Sequence, residues 1–542
     1  MSRVLSMVCL ATLISCSYNS TAPKPGAKNI TILNIELDNN PSSYNYSNTS
    51  VTPQVTLSFS EPIDHQSAQS SILLNGGTVT ITISFTHHDS TVIIKPINSL
   101  KYLTTYSLQI LPQLKSSTQK QLGGTNISIN IVTKVDPTQK FPSISDTALV
   151  NLVQQQTFSY FYDFAEPNSG MARERNTSGN LVTTGGSGFG LMALIVGIQR
   201  GFISRTNGIA RFNKIISFLE SADRFHGAWP HWIDGTTGKV IPFTTQDDGA
   251  DLVETSFMVQ GLLTVRQYLS PSDTVGNNLI NRINTLWQNV EFDWFRQNNQ
   301  NTLYWHWSPN YSWSTNMQIN GYDEALIVYI LAAGSPAHSI PATVYQQGWA
   351  LNGAIVNGKS FYGRPLPVGQ DYGGPLFFTH YSFLGFDPHT QDAYANYWTQ
   401  NQNHALINHD YCVANPRKYA GYADNCWGLT ASDNPSGYSA QSPTNDNGTI
   451  SPTAAISSIP YTPTQSMNAI KYFYYTLGDR MWGQYGFYDA FNISQGWTAT
   501  STLAIDQGPI VVMIENYRTQ LLWKLFMSAP EIQTAKTKLG FN

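Results

Sequence analysis

The hydrophobic period of the chain changes once, across Asp136-Pro-Thr-Gln-Lys-Phe-Pro-Ser-Ile144. On the N-terminal side, short β-branched runs alternate with turn residues: Thr52–Leu57, Val79–Phe85, Thr91–Ile97, Tyr106–Ile110 and Ile127–Val132. Strands at that spacing predict a β-sandwich over residues 28–135. On the C-terminal side the period predicts helices at Ser145–Phe164, Gly190–Arg200, Thr206–Ala222, Asp251–Tyr268, Asn277–Val290, Gly321–Ala333, Ala393–Ile407, Thr464–Leu477 and Pro509–Met527. Strand signals there are too few for a parallel sheet. Many helices joined by long loops rich in Gly, Trp, Asn and Pro suggest an (α/α) toroid over 145–542. The expected fold is therefore multidomain: an all-β sandwich, a linker over 136–144, and an all-α toroid.

The first residues read as an export signal. Arg3 supplies a positive charge, Val4–Ile14 is mostly apolar, and Leu13-Ile14-Ser15-Cys16 resembles a bacterial lipobox. The apolar run is too short to span a membrane. Residues 1–16 are expected to form a lipoprotein signal with Cys16 acylated, and 17–27 a tether. A plain secretory signal is the alternative. The first reading makes the chain a bacterial outer-membrane lipoprotein, periplasmic or at the cell surface, touching the membrane only through its lipid, with no partner subunit expected. In that compartment Cys412 and Cys426, an even pair across a short polar loop, read as a disulfide. His404 and His409 lie near them but close no ligand set, so no metal and no cofactor are expected.

Composition narrows the ligand class. Charged residues are 12% of the 542, against a usual share of roughly 25%. Aromatics are also 12%, with 13 Trp and 29 Tyr. Rings stack on the apolar faces of sugars, and amides and hydroxyls bond their OH groups; aromatic-rich cores would give the same composition. No basic patch is interleaved with aromatics and the net charge is −4, so nucleic acid is excluded as a partner.

Three segments carry candidate chemistry. In Thr244–Phe257, Asp247, Asp251 and Glu254 stand at i, i+4 and i+7, on one face if the helix covers the stretch. Carboxylates so placed would raise one another's pKa and mark a site that grips hydroxyls or supplies a proton. The plain alternative is helix capping. Glu324 starts a strongly apolar helix behind an aromatic loop, a setting that keeps a general acid protonated. Asp506 precedes Pro509, which reads as the first turn of an apolar helix, so Asp506 either faces a cleft or caps that helix. Glu515 further along needs a partner if buried, and Arg518 is a candidate. Candidate sugar contacts are Arg173, Trp229, His231, Trp232, Trp305, Trp313, Tyr322, Tyr372 and His380, with core packing as the alternative for the aromatic loops. The glycine run Gly185–Gly190 lacks the flanking pattern of a phosphate loop.

Taken in order, Ala172–Asn176, Thr184–Leu191, Gly227–His231, Asp247–Ser256, Gly321–Glu324 and Ile505–Pro509 resemble the glucoamylase-like family that includes bacterial endo-β-1,2-glucanases. Val55–Ile63 and Leu103–Leu108 resemble the bacterial Ig-like domains. The first resemblance implies an (α/α)6 toroid and a metal-free, inverting hydrolysis of β-1,2-glucan to sophorose and short oligosaccharides. It implies Glu324 as general acid, Asp247, Asp251 and Glu254 as an acidic cleft wall, and Asp506 as the base, with one of the three acids as the alternative base. Hydrolysis of another glucan, a lyase on the same fold, and a non-catalytic glycan-binding lipoprotein remain open at this point.

Overall fold

The computed structural model describes residues 29–542. The signal segment, the tether and Cys16 lie outside the described residues. The chain forms two compact units. One is built from residues up to Tyr46, Thr52–Ser99 and Tyr106–Ile131, the other from Ser47–Val51, Leu100–Thr105 and Val132–Asn542.

The strands of the N-terminal region form two four-stranded sheets. One orders Ile32–Leu37, Val55–Phe59, Thr91–Pro96 and Ile81–Thr86; the other orders Asn45–Thr49, Ile127–Thr133, Thr105–Ile110 and Ile72–Leu74. Alternation sets which face is buried: along Val55–Phe59, Val55, Leu57 and Phe59 point inward while Thr56 and Ser58 are partly exposed. Leu57 pairs with Ile35 on one side and Val92 on the other, so the register stacks apolar residues across three strands.

The larger unit is helical, and its glycines decide how closely the helices cross. The Thr184–Gln199 helix starts six residues before the position expected from sequence, so the glycine run is helical rather than a loop. A Cβ on Gly188 would lie 2.3 Å from the Phe257 carbonyl oxygen, and one on Gly261 2.2 Å from the Gly188 oxygen. This helix and Leu252–Tyr268 therefore touch backbone to backbone, a contact that outweighs the low helix propensity of glycine. The Leu326–Gly334 helix is buried along its whole length.

The structure corrects three further expectations. The helix carrying Asp506 runs Ala504–Thr519, so Pro509 is inside it rather than in its first turn. Glu515 pairs with Arg200, not Arg518: Arg200 donates from Nε and Nη2 at 2.6 and 2.9 Å, while Arg518 donates to Gln154 at 2.7 Å. Cys412 and Cys426 are free, buried thiols and form no disulfide. Cys412 projects inward from the Tyr397–Ala414 helix and is bonded by the Gly428 amide, while Cys426 is fixed in a reciprocal turn with Ala423 at 3.0 and 3.1 Å.

Glu515 is fully buried, so removing its cation strands a charge in the core. Arg200→Ala is expected to destabilise the chain by about 3 kcal/mol, and Arg518→Ala by clearly less, in urea unfolding monitored by circular dichroism.

Candidate active site

A cavity of about 480 Å³ opens among the loops and helix ends of the helical unit. Glu174, Arg175, His231, Glu254 and Glu324 supply its charges, and Trp232, Phe243, Phe257, Trp305, Phe377, Tyr381 and Tyr438 supply its rings. Its size is that of a small-ligand site, and its mixture of flat apolar rings with a few convergent polar groups suits a sugar.

Of the three clustered acids only Glu254 lines it; Asp251 and Asp247 meet it through His231 and His306. Only Glu254 is on the helix, which begins at Leu252. Asp251 is the N-cap, and Asp247 closes a turn with Thr244. They do not share a helical face as the spacing suggested, because Asp251 adopts extended backbone to cap the helix. Its Oδ1 accepts the Val253 and Glu254 amides at 3.0 and 2.9 Å. Its Oδ2 accepts His231 Nδ1 at 3.0 Å and lies 3.5 Å from His306 Nε2, which also reaches Asp247 Oδ2 at 3.3 Å. The imidazoles thus separate carboxylates that would otherwise repel each other.

The charges follow from those contacts. Burial works to raise Asp251, but hydrogen bonds from His231 and His306 hold it well below the ordinary carboxylate range. Burial works to lower both histidines, yet the neighbouring carboxylates win: His231 is pushed up to about 9 and His306 to about 10. Glu254 is raised, by burial first. Its Oε2 accepts the Gly185 amide at 2.6 Å, in the first turn of a helix whose positive end favours an anion. A Cβ on Gly185 would come within 2.7 Å of that oxygen, so the contact requires glycine. His231, Asp247 and Asp251 each offer an atom within 4.8 Å of the others and could hold a cation. His306 already brings positive charge to both of those carboxylates.

Glu324 lies in the turn before Leu326–Gly334, two residues ahead of the observed helix start, whereas the period in the sequence places it inside a helix beginning at Gly321. Ser382 fixes that turn by donating to the Glu324 carbonyl and accepting the Ile327 amide at 3.0 Å. The Glu324 carboxyl is raised well above its ordinary value by burial and then by Asp323, with Glu254 and Asp251 adding to it. Asp323 itself is pushed up to about 7 by burial.

Asp506 follows Ile505, which lines the cavity, but its own carboxyl is buried behind the wall. Burial and the adjoining Asp489 raise it well above its ordinary value. Asp489 Oδ2 accepts the Asp433 amide at 2.6 Å, and Asp433 in turn receives Arg175 Nη1 at 3.1 Å. Arg175 also donates from Nε to Glu174 at 2.9 Å.

Of the expected sugar contacts, His231, Trp232 and Trp305 line the cavity. The others do not. Arg173 spends its donors on the Gly179 and Phe164 carbonyls and lies over the Phe164 ring; Arg175 faces the cavity in its place. Trp229 is fully buried with its indole N–H on the Leu219 carbonyl. Trp313 packs among Trp294, Phe295 and Tyr304. Tyr322 is buried and donates to Asn401 at 2.7 Å, and Tyr372 packs on Phe361. His380 bonds Ser458 at 3.0 Å, and burial lowers it to about 3, so it stays neutral. Trp229, Tyr322 and His380 are core residues, while Arg173, Trp313 and Tyr372 are half-buried against partners other than the cavity. His306, Glu174, Tyr381, Tyr438 and Asp489 were not singled out from sequence. His306 lies inside the aromatic run 304–307, which was its only local signal.

The chain is similar to known proteins along most of its length. The family described as "Putative glucoamylase" matches residues 316–530, and the bacterial Ig-like domain matches residues 17–130. An endo-β-1,2-glucanase structure from Chitinophaga pinensis is 55% identical over 74% of this chain and 99% of its own, with a TM-score of 0.72. The chain belongs to the glucoamylase-like family. A β-1,2-glucanase structure from Parabacteroides distasonis, a more distant member, is 37% identical over 95% of this chain and 74% of its own, with a TM-score of 0.71. An exo β-1,2-glucooligosaccharide sophorohydrolase (non-reducing end) from Parabacteroides distasonis is 47% identical over 419 residues, 73% of this chain. The chain spans 58% of that curated relative's length. For this family member, an N-terminal bacterial Ig-like β domain followed by a helical glucoamylase-like domain is the architecture.

His231 and His306 have folded values above the ordinary histidine value of about 6.5, so their contribution to stability is complete below that pH and is lost as pH rises through 9–10. Asp251, held low, contributes above its ordinary value and loses that contribution in strong acid. The melting-temperature gap between the wild type and His306→Gln is therefore expected to be wide at neutral pH and to close above pH 10. A gap that is constant from neutral pH to pH 11 contradicts the assignment of a protonated His306.

Proposed function

We propose that the chain is an inverting glycoside hydrolase of β-1,2-glucan, releasing sophorose and short sophoro-oligosaccharides. The observation that carries this reading is Glu324, a carboxyl facing the cavity that burial and Asp323 keep protonated near neutral pH. The printed activities of the relatives support the linkage. The buried helices support an (α/α)6 toroid for the larger unit.

In this mechanism Glu324 gives its proton to the glycosidic oxygen as the C1–O bond breaks. A water attacks C1 from the opposite face, and Asp506, whose carboxyl is buried behind the wall at Ile505, takes its proton through an intervening water or substrate hydroxyl. Glu254, Arg175 and His231 bind hydroxyls, while Trp232, Trp305 and Phe243 present faces on which pyranose rings stack. Asp247 and Asp251 act through His231 and His306 rather than on the sugar.

Glu324→Gln is expected to lower kcat on β-1,2-glucan about a thousandfold with KM little changed, measured as reducing ends and by thin-layer chromatography of products. A variant near the wild-type rate overturns the acid assignment. Inversion predicts that the first product carries an α reducing end in proton NMR, and a β end contradicts it. A panel of linear glucans of other linkages tests the substrate.

The same reading makes the chain an outer-membrane lipoprotein acylated at Cys16, supported by Leu13-Ile14-Ser15-Cys16. Cys16→Ala is expected to move the protein from the membrane fraction to the soluble fraction, and continued membrane fractionation contradicts it.

A further inference from the structure

The carboxyl groups of Asp489 and Asp506 meet behind the cavity wall, within hydrogen-bonding reach of each other. Three bonds clamp the segments that carry them. Gln507 Nε2 donates to the Phe487 carbonyl at 2.8 Å, Thr453 Oγ1 to the Asp506 carbonyl at 2.7 Å, and Ser451 Oγ to the Asp489 carbonyl at 2.6 Å. The pair has four carboxyl oxygens. One of them, Asp489 Oδ2, receives the Asp433 amide. Asp489 Oδ1 and both Asp506 oxygens are buried with no N–H or O–H aimed at them.

Such a set is unstable as two carboxylates: the charges repel, and three buried acceptors lack donors. One proton on either group, donated to the other, removes a charge and satisfies two of the three orphan oxygens. Resting on the reading of Asp506 as the base, we propose that Asp489 is a positioning residue that shares one proton with Asp506 and so keeps a carboxylate oxygen ready for the proton of the attacking water.

The groups that face the pair fit a single negative charge. Asp433 and Glu174 oppose further ionisation, Arg175 favours it, and the hydroxyls of Tyr381 and Tyr438 lie within its field. Asp489 is pushed up to about 7, chiefly by burial, while Asp506 stands well above its ordinary value. The pair therefore begins turnover with one proton and one charge. As water attacks C1, its O–H breaks and the pair takes the proton, ending with two protons and no charge. Glu324 loses its proton to the leaving oxygen and ends negative. The cycle closes when the pair releases one proton and Glu324 regains one.

The Asp433 amide dictates the outcome of the test. In Asp489→Asn that amide selects the side-chain oxygen, which turns the new Nδ2–H toward Asp506. Asp489→Asn is therefore expected to keep kcat within about tenfold of wild type, with the acid limb of its kcat/KM–pH profile little moved. The acid limb reports the first ionisation of the pair, which the proton donated by the second carboxyl favours; Asp489→Leu removes that donor and leaves burial acting on Asp506, so its acid limb is expected to rise by more than about one pH unit. An Asp489→Leu limb that coincides with wild type overturns the proposal. Should that variant fail to fold by circular dichroism, infrared spectroscopy decides. The protonated-carboxyl absorbance of the wild type at pH 8 should fall by one carboxyl in both Asp489→Asn and Asp506→Asn, with the Glu324 contribution retained, and an absorbance unchanged in Asp489→Asn overturns the sharing. Asp506→Asn at the wild-type rate would instead sink the base assignment, and the infrared comparison would still decide whether the proton is shared.

Discussion

Asp251 has no exposed surface and accepts hydrogen bonds from two backbone amides and two imidazoles. Those four donors come from three segments: the start of the Leu252–Tyr268 helix, the loop ending at His231, and the strand His306–Trp307. Its own amide donates to the Trp229 carbonyl, and its strand pairs with His306. One carboxylate thereby sets where the helix begins, how the His231 ring is oriented, and where Glu254 meets the Gly185 amide. An aspartate at this position is held charged by its neighbours, and its neighbours are held protonated by it. The cavity wall depends on that mutual arrangement more than on any single sugar-facing group.

Charge is distributed unevenly around the cavity. On the His231–His306 side, carboxylates are matched by cations and stay ionised. On the Glu324 side, Asp323 and Glu324 face apolar packing and hold protons. Behind the wall, Asp489 and Asp506 have Arg175 at one remove, through Asp433. On the proposed mechanism, proton donor, fixed anions and proton acceptor are separated by environment rather than by residue type, since all are carboxyls.

Much of this was legible in the sequence. The change of period at Asp136–Ile144 divides strand-rich from helix-rich chain, and of the acids Asp247, Asp251 and Glu254 the last lines the cavity while the other two pair with His231 and His306. Glu324 is legible because an acid before an apolar run stands out. What the sequence hides is set by contacts far apart along the chain. Trp229 and Tyr322 look like sugar platforms, yet each finds a partner in the core, Leu219 and Asn401. Arg173 and Arg175 are two residues apart and would share a face of a regular strand; the segment instead makes two isolated bridges, to Val182 and Leu503, so one arginine faces the Phe164 ring and the other the cavity, and nothing local says which. Asp489 gains meaning only when the 487–489 segment is laid against the helix of Asp506. The glycine run read as a loop because propensity argues against a helix there, and only the crossing at Gly188 and Gly261 reverses that preference.

That crossing has a consequence for how such a protein can diversify. Two helices in backbone contact cannot slide or tilt to admit a different sugar, and one of them carries Glu254 while the other carries the amide that binds it. Change is left to parts that are free of the crossing, such as the Ala431–Ala440 hairpin that brings Tyr438 to the cavity rim. Cleavage in mid-chain and cleavage from an end can then arise as alterations of the rim alone, with the machinery that moves protons inherited unchanged.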